Sequence, residues 1–165
     1  IQHKQNLNIK TVLKEIVSTL KNQAKERNIN LKIDSKEIFI QANYDEMFQL
    51  IKNLTENAIK YGKESGVVEV SIDHNSKYLI LTVKDDGIGI PKEDQSRIFE
   101  RFYRVDKARS KSTGGTVLGL SIVKHIVLNY EGHIELDSIE NRGTKVTVFL
   151  PNKQLNIKAI DIHPA

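Results

Sequence analysis

The segment Val-Lys-Asp-Asp-Gly-Ile-Gly-Ile-Pro, residues 83–91, decides how the rest of the chain is interpreted. Residues 78–83, which are apolar except for Thr82, predict a strand that delivers two adjacent carboxylates, Asp85 and Asp86. Gly87 and Gly89 then permit a sharp turn and a close approach to the main chain. A lone Asp-Gly pair is an ordinary turn. A carboxylate at a strand end also suits an amino group on a flat ligand, such as the exocyclic amine of adenine.

Three common loops that bind phosphate or metal ions do not fit this segment. The Walker pattern Gly-x-x-x-x-Gly-Lys-Ser/Thr occurs nowhere in the chain. A dinucleotide fingerprint needs a third glycine where Lys92 stands. An EF-hand loop needs oxygen ligands at Thr82 and Lys84, and a lysine cannot ligate calcium.

Composition limits the classes of function that remain. The 165 residues suit one domain, and 39% hydrophobic residues can build a core. Cysteine is absent, so disulfides and thiolate metal sites are excluded. The apolar runs are strand-sized, which predicts no membrane contact. The net charge of +4 fits a site for a polyanion such as a triphosphate, or a weak nucleic-acid surface. No two histidines have metal-ligand spacing, which argues against zinc.

A polar stripe flanks the apolar face of a helix predicted over residues 45–61. Asn53, Asn57 and Lys60 fall on one side of the apolar residues, with Tyr61 between the two stripes. The apolar stripe consists of Met47, Leu50, Ile51, Leu54 and Ala58. Such a stripe is either a solvated helix flank or the wall of a pocket.

The residue types in this stripe favour the pocket. An amide oxygen at Asn57 is a suitable ligand for Mg²⁺, and Lys60 supplies a point charge for phosphate oxygens. Asn53, one turn earlier, could share the metal or hold a water bound to it. Glu56 faces further outward, where it is either solvated or a candidate for polarising the attacking group.

The remaining elements follow from hydrophobic periodicity and turn residues. An amphipathic helix ends near Asn28, short strands cover residues 29–33 and 37–41, and a short helix follows Pro91. Hairpins join residues 67–73 to 78–84 and residues 133–138 to 144–150. A further helix covers residues 116–130. Residues 1–9 read as the end of a linker and residues 152–165 as a loose tail.

Residues 105–115 are basic, polar and glycine-ended, which predicts a mobile lid. The same charges could be a nucleic-acid patch, but no exposed aromatic residues alternate with them. A glycine-rich segment that leads into a helix N-terminus is a good anion site. We therefore expect the lid and the following helix to contact phosphate.

Four segments together resemble the sequence boxes of bacterial sensor histidine kinases. Residues 53–61 resemble the N box, residues 85–91 the G1 box, residues 98–104 the F box and residues 114–120 the G2 box. They occur in the order and spacing of that family, and the resemblance as a whole spans roughly residues 9–151. The nearest resemblance is to phosphate-responsive and cell-wall-responsive membrane sensor kinases of Gram-positive bacteria.

The resemblance implies a fold and a cofactor. The fold is a Bergerat-type two-layer α/β (α+β) sandwich, with a mixed, mostly antiparallel sheet packed against three helices and an ATP lid. The cofactors are ATP and Mg²⁺. Asp85 would bind adenine, Asn57 with Asn53 would ligate Mg²⁺, and Lys60 with Arg104 would meet the phosphates. The other implied nucleotide contacts are Tyr61, Gly87, Gly89, Ile90, Tyr103, Gly115, Thr116, Val117, Leu118, Gly119 and Leu120.

Two departures from the family pattern bear on function. No histidine is followed by Glu or Asp, so the phospho-accepting motif is absent. The chain then reads as a catalytic domain, residues 10–151, that acts on a histidine of a separate dimerisation and phosphotransfer domain and reaches a response regulator indirectly. The G2 box normally reads Gly-Thr-Gly-Leu-Gly, and Val117 replaces its middle glycine.

The resemblance implies a cytoplasmic domain of a membrane-anchored sensor and no nucleic-acid partner. The alternatives are another ATP-using protein of the same fold, such as a serine kinase that acts on a regulatory protein or a clamp ATPase, and a nucleotide sensor or protein-interaction domain without turnover.

Overall fold

The computed structural model describes residues 3–100 and 118–159, in which three helices cover one face of a five-stranded sheet. The helices are α1 (Ile9–Glu26), α2 (Tyr44–Tyr61) and α3 (Leu118–Asn129). The strands, in sheet order, are β2 (Asn30–Ser35), β4 (Val67–His74), β5 (Tyr78–Asp85), β7 (Gly143–Pro151) and β6 (His133–Ile139). Strands β2 and β4 are parallel and the other pairs are antiparallel. The predicted two-layer sandwich is confirmed.

Alternating side chains place the core between the sheet and the helices. In β5 the residues Leu79, Leu81 and Val83 are buried, while the residues between them are half-buried or exposed on the outer face. The same alternation continues to Asp85, which therefore lies on the helix-facing side. Antiparallel pairing of β5 with β7 sets Thr144 directly opposite Asp85. The sheet thus carries two polar side chains to one end of its buried face.

Helix α2 begins and ends as its sequence predicts. The Asn43 side chain accepts a hydrogen bond from the Glu46 N–H at 2.9 Å, and Asp45 and Glu46 lie in the positive first turn. Its apolar stripe packs into the core, including Met47, Leu50 and Ile51. This leaves the predicted polar stripe at the boundary of the core.

The structure corrects the sequence prediction at both ends of the chain. Residues Gln5–Asn8 form strand β1, which pairs with β3 (Ile38–Ala42), although they were expected to be linker. The expected loose tail includes a helical turn, α4 (Asn152–Leu155), and strand β8 (Lys158–Ala159), which also pairs with β3. Leu155 is fully buried. Segments this short have no periodicity, and only their distant partner strand makes them part of the fold.

Several predicted features lie outside the described residues. They are the lid over residues 105–115 and the site residues Tyr103, Arg104, Gly115, Thr116 and Val117. The short helix predicted after Pro91 is a 3-10 turn, Lys92–Asp94. Within residues 3–100 and 118–159, none of the helices is both long and apolar enough to cross a membrane.

Candidate functional site

Asp85 is a buried carboxylate at the end of β5, where only 8% of the residue is exposed. Its Oδ1 atom accepts a hydrogen bond from the Gly87 N–H at 2.9 Å. Burial raises the pKa of Asp85 from 3.8 to about 6, and the nearby charge of Asp86 adds to the rise. The backbone N–H groups of Gly87 and Thr144 partly oppose it. A buried carboxylate held in this way is suited to accept a hydrogen bond from a ligand.

The two glycines of the turn after Asp85 are required by close backbone contacts. A Cβ atom on Gly87 would lie 2.1 Å from the Tyr61 carbonyl oxygen at the end of α2. Gly89 has a φ of +68°, and its Cβ atom would lie 2.2 Å from the Ile139 carbonyl oxygen. The Ile88 N–H also donates to the Tyr61 carbonyl at 3.3 Å. The turn is therefore fixed between α2 and the β6–β7 hairpin.

Asp86 has a different role from its neighbour. Its side chain is exposed and accepts hydrogen bonds from the Val67 N–H at 3.1 and 3.2 Å. This contact ties the turn to the start of β4. Of the two adjacent carboxylates, only Asp85 belongs to the candidate site.

Two amide side chains lie in the polar stripe of α2. Asn53 and Asn57 are half-buried, and neither makes a hydrogen bond to the part of the chain that the structure describes. A Cβ atom on Gly119 would lie 3.7 Å from Asn53 Oδ1, so the first turn of α3 packs over Asn53. From Asn53 to Tyr61 the helix rises by about 12 Å. The stripe therefore extends from the first turn of α3 to the glycine turn.

Glu56 is buried, which corrects the expectation that it faces solvent. Only 9% of the residue is exposed, and its Oε2 atom accepts from Gln23 Nε2 of α1 at 3.2 Å. Lys52 and Lys60 approach its two carboxylate oxygens at 3.8 and 3.7 Å. Glu56 thus ties Lys60, the predicted phosphate ligand, to the α1–α2 interface.

The start of α3 supplies backbone donors. Leu118, Gly119 and Leu120 form its first turn, where N–H groups have no partner within the helix. The positive end of the helix dipole lies there as well. This turn is suited to phosphate oxygens, as the sequence predicts for these three residues.

The donor set fits Mg²⁺ delivered together with phosphate. Amide oxygens are acceptable Mg²⁺ ligands, and this ion keeps several waters and binds substrate phosphates. Among the described residues, no three His, Cys, Asp or Glu side chains cluster in a way that would hold a metal ion by themselves. Asn57 and Asn53 are the residues that would hold it.

Sequence reasoning missed Thr144 and Ser138. Thr144 lies opposite Asp85, and its Oγ1 atom lies 2.8 Å from Ser138 Oγ. Ser138 Oγ also accepts from the Ile90 N–H at 2.8 Å. The one signal for these residues in the sequence is the register of the predicted hairpin, which local periodicity does not fix.

A family model decides the relationship of this chain to known proteins. The model of the histidine kinase-, DNA gyrase B- and HSP90-like ATPases matches residues 42–154, which contain the glycine turn, the α2 stripe and Thr144. The chain belongs to this ATPase family. Membership of the histidine kinase-, DNA gyrase B- and HSP90-like ATPases implies ATP binding, as predicted, whereas Mg²⁺ stays a prediction.

Curated relatives narrow the comparison to sensor kinases. Sensor histidine kinase WalK of Bacillus subtilis is 45% identical over 124 residues, which are 74% of this chain and 20% of that protein. Sensor protein kinase WalK of Staphylococcus aureus is 37% identical over 151 residues, 90% of this chain and 36% of that protein. The chain thus spans well under half the length of these relatives. The predicted homology to a histidine kinase catalytic domain is confirmed.

Solved structures support the fold. The catalytic domain of histidine kinase ThkA superposes with a TM-score of 0.78 at 24% identity, over 91% of this chain and 96% of that one. The mycobacterial sensor histidine kinase MprB superposes with a TM-score of 0.77 at 23% identity, over 90% of this chain and 97% of that one. These likenesses confirm the architecture of an ATPase of this family.

Proposed function

We propose that this chain is the catalytic domain of a two-component sensor kinase, which binds ATP with Mg²⁺ and transfers the γ-phosphoryl group to a histidine of a partner helical domain. The observation that carries the proposal is that two features lie on one continuous surface, formed by the glycine turn and the polar stripe of α2, which we call the wall. The buried Asp85 carboxylate lies at the end of the wall where α2 meets the glycine turn. The amides of Asn57 and Asn53, which make no hydrogen bond within residues 3–100 and 118–159, lie along α2 toward the first turn of α3.

Adenine would lie against the glycine turn. Asp85 would accept a hydrogen bond from the exocyclic amine, and the Thr144 hydroxyl beside it would reach the adjacent ring nitrogen. Gly87 and Gly89 let the turn pack closely against the backbone of α2 and of the β6–β7 hairpin at this end of the site. Tyr61 and Ile90 flank the turn, and Tyr103 is a predicted contact outside the described residues.

The triphosphate would extend along α2 toward α3. Asn57, assisted by Asn53, would hold Mg²⁺, which neutralises charge on the transferred group when it is bound. Lys60 supplies a positive charge that Glu56 holds in place at 3.7 Å. Leu118, Gly119 and Leu120 offer backbone N–H groups at the start of α3. Arg104, Gly115, Thr116 and Val117 complete the predicted phosphate contacts from sequence alone.

These residues act by positioning and by charge rather than by covalent chemistry. Phosphoryl transfer needs alignment of the donor and acceptor and stabilisation of negative charge on the phosphoryl oxygens. Lys60 of the N box and Arg104 of the F box are the cations that we assign to this stabilisation. The contacts of Glu56 with two lysines favour a role in holding Lys60 over one in polarising the attacking group.

The acceptor would come from a separate helical domain. None of the five histidines is followed by an acidic residue. The relatives' greater length leaves room for a dimerisation and phosphotransfer domain and for a membrane anchor, so we assign this chain to the cytoplasmic side of a membrane sensor. Through that domain it would act indirectly on a response regulator, with no nucleic-acid partner and no membrane contact of its own.

Phosphotransfer to an added helical hairpin tests the function. The isolated chain should not label itself from γ-³²P-ATP, whereas a hairpin that carries the acceptor histidine should gain acid-labile, base-stable phosphate at a rate that rises with its concentration. The matched control is the same hairpin with that histidine replaced by alanine. Acid-stable label on serine, or no label although ATP binds in calorimetry, would refute histidine phosphotransfer.

A further inference from the structure

The Ser138 hydroxyl, on the helix-facing side of β6, joins the glycine turn to the β6–β7 hairpin. The Ile90 N–H donates to Ser138 Oγ at 2.8 Å. The Gly143 carbonyl oxygen lies 3.1 Å from the same Oγ atom and Thr144 Oγ1 lies 2.8 Å from it. Three groups that surround the candidate adenine site therefore meet at one oxygen atom.

A count of protons restricts how these groups can pair. A hydroxyl has one proton to donate and two lone pairs. One lone pair of Ser138 Oγ is occupied by the Ile90 N–H. If Ser138 donates to the Gly143 carbonyl, the Thr144 hydroxyl donates to Ser138, and all three contacts are satisfied. If Ser138 donates to Thr144 instead, it no longer donates to the Gly143 carbonyl, and the Thr144 hydroxyl proton can point into the site.

The second arrangement matches what a base requires beside Asp85. Thr144 and Asp85 are paired across β5 and β7, so their side chains lie next to each other on the same face of the sheet. On its Watson–Crick edge adenine presents an amino group, which donates, next to the ring nitrogen N1, which accepts. An ionised Asp85 has no proton to donate, so the donor to N1 has to be another group, and the Thr144 hydroxyl lies beside Asp85.

We propose that Ser138 is a positioning residue for base recognition, which holds the glycine turn through Ile90 and aims the Thr144 proton at N1 of the base. The proposal rests on the adenine site described under the proposed function. Ser138 touches no part of the nucleotide in this arrangement. It acts through Thr144 and through the backbone of the turn.

A second contact of the same turn provides a matched control. Gln95 Nε2 donates to the Ile90 carbonyl at 2.9 Å and to the Ser138 carbonyl at 3.1 Å. Gln95→Ala therefore loosens the turn but leaves the Ser138–Thr144 hydroxyl pair intact. Ser138→Ala removes both the tie to the turn and the hydroxyl pair. Ser138→Thr keeps a hydroxyl at the same position in a strand that accepts β-branched residues.

The experiment measures the binding of ATP and of 1-deaza-ATP, in which a C–H group replaces N1, to the parent chain and the three variants by calorimetry. Ser138→Ala is expected to weaken ATP about tenfold, because it removes two hydrogen-bonding contacts, and 1-deaza-ATP about threefold. Gln95→Ala should weaken both nucleotides by the same factor. Ser138→Thr should restore the ratio of the two affinities to the parent value.

The possible failures are distinct. Equal losses of ATP and 1-deaza-ATP in Ser138→Ala would overturn the action through Thr144, and an unchanged ATP affinity would overturn the whole proposal. If the parent chain binds no ATP, the proposed function fails and this proposal fails with it. Should Ser138→Ala not fold, amide hydrogen exchange of the parent decides the point. The Ile90 N–H must be protected, and exchange at the rate of an unstructured amide would refute its bond to Ser138.

Discussion

Replacing Asp85 by asparagine is expected to stabilise the fold while it weakens ATP binding. The folded chain raises the pKa of this buried carboxyl from 3.8 to about 6, so the folded state disfavours the charged form. Above pH 6 the cost of this charge is on the order of 2–3 kcal/mol of unfolding free energy. An asparagine oxygen can still accept from the Gly87 N–H. We expect Asp85→Asn to raise the unfolding free energy by about 1–2 kcal/mol at pH 7.5, which corresponds to roughly 2–8 °C in Tm.

The loss of binding has a separate cause. An asparagine can meet the adenine amine with its own NH₂ group and can offer no charge-assisted acceptor. The expected cost is about 1.5–3 kcal/mol, or roughly tenfold to a hundredfold in ATP affinity, with a similar loss for ADP. Thermal unfolding without nucleotide and calorimetric titration with ATP measure the two effects. Asp86→Asn is the matched control, because Asp86 is exposed, and it should change both quantities little.

Each half of this prediction can fail on its own. A Tm of Asp85→Asn below that of the parent would show that the ionised carboxylate stabilises the fold, contrary to the effect of its burial. An unchanged ATP affinity would remove Asp85 from the adenine site. If Asp85→Asn is more stable than the parent and also binds ATP less tightly, Asp85 is a carboxylate that serves ligand binding at a cost to stability.

Three further predictions concern titration, Glu56 and Val117. ATP affinity of the parent, relative to Asp85→Asn, should decline as pH falls below about 6, because protonation of Asp85 removes the negative charge that strengthens its acceptance from the amine; a constant difference from pH 5 to 8 in calorimetry would contradict this. Glu56→Gln should weaken ATP severalfold through loss of the ion pair to Lys60, whereas a loss above about a hundredfold in transfer at saturating ATP would restore a catalytic role. Val117→Gly, which restores the family's glycine, should tighten the binding of ATP more than that of ADP and should speed phosphotransfer. Equal ATP affinities and equal transfer rates for the parent and the variant would show that valine is tolerated there.

The candidate site was predictable where its residues are close in sequence. The spacing of Asn53, Asn57 and Lys60 defines a helix stripe, and Asp85 with its glycines defines a turn. The environment of Glu56 was not predictable, because Gln23 on another helix helps to bury it. A single helix pattern does not show which neighbouring helix covers its flank.

The sequence by itself determined the elements that rest on local patterns, which are the amphipathic helices, the two hairpins, the glycine turn and the four boxes of the family. Tertiary structure alone decided the pairings between distant segments. Residues 5–8 and 158–159 became strands because β3 offers both of its edges. Ser138 and Thr144 entered the site because the β5–β7 and β6–β7 registers bring them beside Asp85. Local periodicity fixes which side of a strand a residue occupies, whereas its partner across the sheet depends on contacts that only the folded chain makes.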